Sequence, residues 1–125
     1  MTTTITRDEL VRLPSRKLDA LVAETVMGLV RCTAQHSRPD EPCHALPESP
    51  DCGAETQRYS TDVGIAWTVV DCMRGRDNNF LLMVAIDGTA TASFFHGPDQ
   101  SKAPSTCFDA ARSICEAAVS AVLGV

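Results

Sequence analysis

The sequence predicts an α+β fold in a single domain over residues 1–125. Three observations support this. Apolar residues recur with helical spacing in three segments, Asp87-Gly88 joins two short apolar segments, and 44% of the residues are hydrophobic, which is enough for one core. We therefore expect a small antiparallel sheet, a hairpin at about 80–95, layered between helices at about 15–30, 60–74 and 106–123.

The first predicted helix, 15–30, rests on an apolar stripe that includes Leu18, Val22 and Leu29, with Ser15 as a cap. The polar residues before it, 1–13, are expected to form a loosely ordered lead-in. The following segment, 31–58, holds four of the seven prolines and almost no apolar periodicity. We expect it to be a long irregular loop inserted in the domain, of the kind that is usually functional or disordered.

The second helix is predicted to begin at Ser60 or Thr61 and to end at Gly75. Its apolar residues, Trp67 among them, indicate a buried helix. The apolar segment 80–86 is predicted to be a buried strand, and the return strand places Phe94 and Phe95 on opposite faces. The last helix, 106–123, is predicted from its apolar stripe and from a cap formed by Thr106 and Asp109.

Three segments resemble the phage ABA sandwich domain family: LDALVAETVMG (18–28), YSTDVGIAWTVVD (59–71) and ARSICEAAVSA (111–121). The resemblance covers the helical half of the chain and implies a phage origin and a sheet layered between helices. The long loop at 31–58 and the Phe94-Phe95 pair, where tryptophans are often present, depart from the pattern. The family has no established general activity, but related small phage proteins act as accessory factors, including ones that disarm host immunity.

Composition narrows the classes of function. The chain has 11 basic and 16 acidic residues, a net charge of -5, which argues against sequence-independent nucleic-acid binding. The N-terminal segment lacks the apolar core of a secretory signal, and the longest apolar runs are too short to span a bilayer. We therefore expect no direct nucleic-acid or membrane contact and a location in the cytoplasm of the bacterial host.

The chain has six cysteines. Because the bacterial cytoplasm is reducing, we expect these thiols to bind a metal or to be buried rather than to form structural disulfides. Four residues of the long loop have thiol and imidazole ligands of the type zinc prefers, and they are predicted as a structural zinc site: Cys32, His36, Cys43 and Cys52. Two alternatives stay open, an exposed loop with incidental thiols and a Cys43–Cys52 disulfide that forms only on oxidation. Cys72, Cys107 and Cys115 are predicted to be core thiols.

These observations, with the resemblance, predict a non-enzymatic phage accessory protein that acts by binding. The most concrete version is an inhibitor of a bacterial defence system, such as an anti-CRISPR protein, whose partner is a host defence protein or complex. Acidic side chains that mimic nucleic-acid phosphates are the predicted contact: Asp40, Glu41, Glu48, Asp51 and Glu55.

The alternative function is a small-molecule binder that sequesters nucleotide immune signals, with Arg74, Arg76 and Lys102 as the available cations. The hydrophobic second helix and the paired phenylalanines Phe94 and Phe95 also suggest a homodimer.

Overall fold

The computed structural model describes residues 5–32, 43–49, 53–95 and 104–125. These residues form four helices and two antiparallel three-stranded sheets, which confirms the α+β class. The elements follow one another as α1 (Arg7–Val11), α2 (Ser15–Thr25), β1 (Val30–Arg31), β2 (Cys43–Ala45), β3 (Ala54–Glu55), α3 (Val63–Arg74), β4 (Asn79–Val84), β5 (Ala90–Phe95), β6 (Ser105–Cys107) and α4 (Ala110–Leu123).

The last helix, α4, is the centre of the core. Every residue from Ser113 to Ser120 is buried, and the helix contacts α2, α3, β5 and β6. The Ser113 hydroxyl donates to the carbonyl oxygen of Ala90 at 2.8 Å, which ties α4 to β5. A helix buried all round has to be enclosed by other elements, so the rest of the chain is arranged around α4.

The helices begin and end within a few residues of the predicted positions, and each shift has a local cause. The first predicted helix ends early because Gly28 adopts a positive φ of 72°. Helix α3 begins at Val63 because the Asp62 carboxylate caps it, accepting from the Gly64 amide at 2.9 Å. Helix α4 begins at Ala110, capped by Asp109, since 105–107 pair with β5 as β6.

The lead-in predicted over 1–13 contains a short helix, α1. Its side chain Leu10 is fully buried in the core, and the Arg112 guanidinium donates to the carbonyl oxygen of Leu13 at 2.7 Å. A five-residue helix that buries one leucine has no detectable periodicity. The prediction of a loosely ordered segment is therefore wrong for residues 7–11.

The segment 31–58 is not irregular throughout, because its described residues contribute the first sheet, ordered β1–β2–β3. Arg31 lies opposite His44, and His44 lies opposite Ala54. His44 is buried: its Nδ1 lies 2.5 Å from Thr56 Oγ1 and its Nε2 lies 3.1 Å from Glu24 Oε2. Strands of two or three residues are too short to show alternation in the sequence, which is why the prediction missed them.

The second sheet, ordered β4–β5–β6, contains the predicted hairpin. In its turn, the Asp87 carboxylate accepts from the Thr89 amide and hydroxyl, and these hydrogen bonds lower the pKa of Asp87. Phe80 and Phe94 pair on the face toward the core, whereas Leu81 pairs with Ser93 on the other face. The predicted layering of this sheet between helices is not confirmed, since its outer face carries exposed side chains.

Because Cys115 is buried in α4, we expect the free energy of unfolding to vary with pH in the alkaline range. Burial, with a contribution from the Asp19 carboxylate, raises the pKa of the thiol. In the unfolded chain the thiol ionises at about pH 8.5, so the unfolded state loses its proton first. We expect the free energy of unfolding to fall above that pH, by up to about 1.4 kcal/mol per pH unit.

Urea unfolding between pH 7.5 and pH 9.5 measures this effect. The Cys115→Ala variant should show a shallower decline than the parent protein, whatever its stability at neutral pH. The matched variant Cys72→Ala removes a partly buried thiol and should retain the parent slope. Equal slopes for the parent and Cys115→Ala would contradict the prediction.

Candidate partner-binding surface and thiol pair

An exposed apolar surface lies along β4, one of the two edge strands of the second sheet as described. Leu81 and Met83 are 46% and 59% exposed on the outer face, Val84 is 66% exposed at the end of the strand, and Ile86 is fully exposed in the turn. We call these four side chains the β4 edge surface. Clustered exposed apolar side chains of this kind mark interaction surfaces.

Trp67, on α3, is a further exposed apolar side chain, and it packs against the core-facing side of β4. The sequence predicts Trp67 in the core, but the side chain is 45% exposed. Its ring meets Phe80 edge to face, with centroids 5.7 Å apart, and Phe80 stacks on Phe94 at 4.9 Å. One side of the indole is therefore anchored to the core through aromatic contacts, while the other remains available to a partner.

The backbone of β4 offers a second means of contact. Within the described ranges, β4 pairs with β5 and with no strand on its other side. Its sequence, NFLLMV, contains no charged residue and no proline. Proteins usually protect an exposed edge with such residues because an unprotected edge accepts a further strand. The edge of β4 lacks that protection.

The sequence analysis predicts 80–86 as a buried strand, and this is wrong for the outer face. An unbroken apolar run is typical of a strand covered on both faces, whether by its own domain or by another protein. The residues alone do not distinguish these two cases. The structure does, because it covers Phe80 and Leu82 with the core and leaves Leu81 and Met83 exposed.

Cys32 and Cys43, two of the predicted zinc ligands, lie side by side where β1 meets β2. Continuing the register from Arg31–His44 places the two cysteines opposite each other, and the Cys32 amide donates to the Cys43 carbonyl oxygen at 3.0 Å. Their thiols share a hydrogen bond. Both sulfurs lie against Gly53: a Cβ at that position would be 2.5 Å from Cys32 Sγ and 2.9 Å from Cys43 Sγ. Only glycine fits there without displacing the thiols.

The electrostatics of this thiol pair favour the protonated state of Cys43. Desolvation by burial raises the pKa of its thiol to about 11, and the hydrogen bond with Cys32 contributes. His36 and Cys52, the other two predicted ligands, lie outside the described residues, among which no group of three metal-ligating side chains occurs. The structural zinc site therefore stays a prediction.

The other described thiols and His44 have structural partners. Cys115 is fully buried, as predicted for a core thiol, while Cys72 and Cys107 are partly buried. The Cys72 thiol donates to the Val26 carbonyl oxygen at 3.3 Å, and Cys107 Sγ lies 2.9 Å from the Ser113 hydroxyl. His44 has both ring nitrogens within hydrogen-bonding distance of side-chain oxygens, so its role is to join β2 to α2.

The predicted acidic contact is only partly within the described chain. Glu48 is exposed in the turn after β2. Glu55 lies 3.4 Å from both Arg16 Nη2 and Arg58 Nη2, which offset its charge. Asp40, Glu41 and Asp51 lie outside the described residues. The described part of this segment is therefore mixed in charge rather than uniformly acidic.

The cations proposed for a nucleotide ligand do not form a common site among the described residues. Arg74 is exposed, Arg76 donates to the carbonyl oxygen of Val26, and Lys102 lies outside the described residues. A separate open groove of about 520 Å³ runs along α2, with mostly apolar walls and with Lys17 and Arg31 among its lining residues.

Comparison with protein-family models, with curated proteins and with solved structures returned no match. The resemblance to the phage ABA sandwich family therefore rests on the three sequence segments alone. No helix in the described part of the chain has the length and apolar character needed to cross a membrane.

Proposed function

We propose that the protein is a non-enzymatic phage accessory protein that binds and inhibits a bacterial defence protein, such as a CRISPR–Cas effector. The binding part of this proposal is supported by one observation, the β4 edge surface. The phage origin and the class of target are supported by the resemblance of three segments to the phage ABA sandwich family.

The mode of binding we propose is addition of a strand from the partner to β4. Backbone pairing along residues 80–84 supplies hydrogen bonds, and alternate side chains of the partner pack against Leu81 and Met83 on the outer face. Complete burial of an apolar side chain of this size contributes about 1.5–3 kcal/mol. The matching partner segment is extended and apolar at alternate positions, and its capture would block the surface to which it belongs.

The acidic segment contributes less to this proposal. Arg16 and Arg58 already pair with Glu55, and an exposed ion pair adds at most about 1 kcal/mol to an interaction. Glu48 is the exposed acidic member within the described residues. The loss of partner binding caused by the charge reversal Glu48→Lys can therefore be compared with the loss caused by a substitution in the β4 edge surface.

The function is tested by phage plating on a bacterial host whose CRISPR–Cas system targets the infecting phage. We expect production of the protein to raise the efficiency of plating toward that on a host lacking the system, because a bound effector no longer reaches its target. The level of soluble protein is measured in the same cultures. Unchanged plating with abundant soluble protein would contradict the proposal.

The oligomeric state of the purified protein tests whether a second copy occupies the surface instead. The homodimer suggested by the sequence would occupy this surface itself, whereas partner binding at β4 predicts a monomer by sedimentation analysis at micromolar concentration. A stable dimer that Met83→Lys converts to a monomer would show that β4 pairs with itself, and would contradict partner binding at this edge.

A further inference from the structure

A second feature, independent of the β4 edge surface, is the contact between Cys32 and Cys43. We propose that these two residues form a reversible disulfide when the protein meets a peroxide oxidant. The bond would tie β1 to β2 across the first sheet and close the chain segment between them. The site consists of residues that the structure describes, and it differs from the Cys43–Cys52 pairing considered from the sequence.

The geometry supports this pairing directly. Residues directly opposite in an antiparallel pair have Cα atoms about 4.5–5.5 Å apart, within the range that a disulfide spans. Cys32 and Cys43 occupy such opposed positions, with the Cys32 amide bonded to the Cys43 carbonyl oxygen. Both sulfur atoms lie close to one point, 2.5 Å and 2.9 Å from the position of a Cβ on Gly53, so the two thiols are on the same side of the paired strands.

Gly53 accounts for the placement of both sulfurs. The chain around β3 passes so close to the pair that a Cβ on Gly53 would lie within 2.6 Å of both the Sγ and the Cβ of Cys32. Such a contact forces a shift, since the side chain of cysteine is short. Gly53 therefore permits the close approach of Cys32 and Cys43 beneath the neighbouring strand.

Both cysteines are partly exposed, so a small oxidant reaches them. In the reaction, the thiolate of Cys32 attacks hydrogen peroxide, giving a sulfenic acid and releasing hydroxide, which takes up a proton to become water, while Cys43 stays protonated as the second thiol. The second thiol then attacks the sulfenic sulfur, the S–S bond forms, and a second water leaves. The thiol pair loses two electrons and two protons, and one peroxide is reduced to two waters.

Intact-mass measurement and peptide mapping test the proposal on the whole protein. After brief treatment with hydrogen peroxide, we expect a mass loss of two hydrogen atoms, a cross-linked peptide joining Cys32 to Cys43, and full reversal by dithiothreitol. Oxidation should also raise the melting temperature, since it restricts the unfolded chain. The mapping needs no variant, so it does not depend on the folding of a substituted protein.

Matched cysteine variants sharpen the result. Cys32→Ser should abolish the cross-link, whereas Cys52→Ser and Cys107→Ser should retain it. Gly53→Ala should slow its formation, because the added methyl group displaces the sulfurs. A cross-link from Cys43 to Cys52 in the parent protein would overturn the proposal. So would one zinc ion per chain that keeps both thiols reduced under peroxide.

Discussion

Replacing Asp19 with alanine is expected to lower the free energy of unfolding by about 3–5 kcal/mol, because it removes two hydrogen bonds to a charged, fully buried carboxylate. Asp19 is fully buried in α2. One carboxylate oxygen lies 2.8 Å from Arg16 Nη1, and the other accepts from the Ser60 amide at 2.8 Å. The alanine variant would leave both groups without this partner, and the link from α2 to the segment before α3 would be lost.

Urea unfolding of matched variants measures this loss. Asp19→Asn retains an oxygen acceptor and should be less destabilised than Asp19→Ala. Asp71→Ala removes an exposed carboxylate on α3 and should change the free energy of unfolding by no more than about 0.5 kcal/mol. A loss below about 1 kcal/mol for Asp19→Ala would contradict the role given to this network.

Phe94→Ala is expected to have an effect of similar size, a loss of about 3–5 kcal/mol. The Phe94 ring is 2% exposed and lies opposite Phe80 in the hairpin, with the two rings stacked. Its removal leaves a cavity between the second sheet and the core and deprives Phe80 of its stacking partner. Since Phe80 also contacts Trp67, the change should reach the surroundings of Trp67.

Two readouts separate these effects. The urea midpoint reports the lost stability, and tryptophan fluorescence reports the surroundings of Trp67, the single tryptophan. Phe108→Ala removes an aromatic ring that is 80% exposed and should change stability by less than about 0.5 kcal/mol. If Phe94→Ala and Phe108→Ala had equal effects, the hairpin would not pack on the core as described.

The comparison of sequence and structure shows which signals are strong. Asp87-Gly88 fixes the hairpin, and regular apolar spacing locates α2, α3 and α4. The capping residues were harder to place, because Ser60, Thr61 and Asp62 are all suitable caps. Tertiary contacts decide among them: the Ser60 hydroxyl donates to the carbonyl oxygen of Ser15, and the Asp62 carboxylate caps α3.

The candidate sites were less accessible from sequence. Spacing alone suggests Cys32 and Cys43 as ligands, but their direct contact depends on the pairing of β1 with β2, strands too short to detect. The sequence predicts residues 80–86 as a buried strand, because an apolar run is compatible with burial inside the domain or beneath another protein. The exposure of Leu81 and Met83 depends on where α3 and α4 lie, which is a property of the whole fold.

The most direct test of the central claim compares two lysine substitutions in the phage-plating assay. Met83→Lys places a charge on the β4 edge surface, and Val11→Lys places one at a 42% exposed valine on α1. Both sites are exposed, so each change should alter stability by no more than about 0.5 kcal/mol. We predict that Met83→Lys loses inhibition of CRISPR–Cas immunity and that Val11→Lys retains it. Full inhibition by a folded Met83→Lys protein would contradict the account.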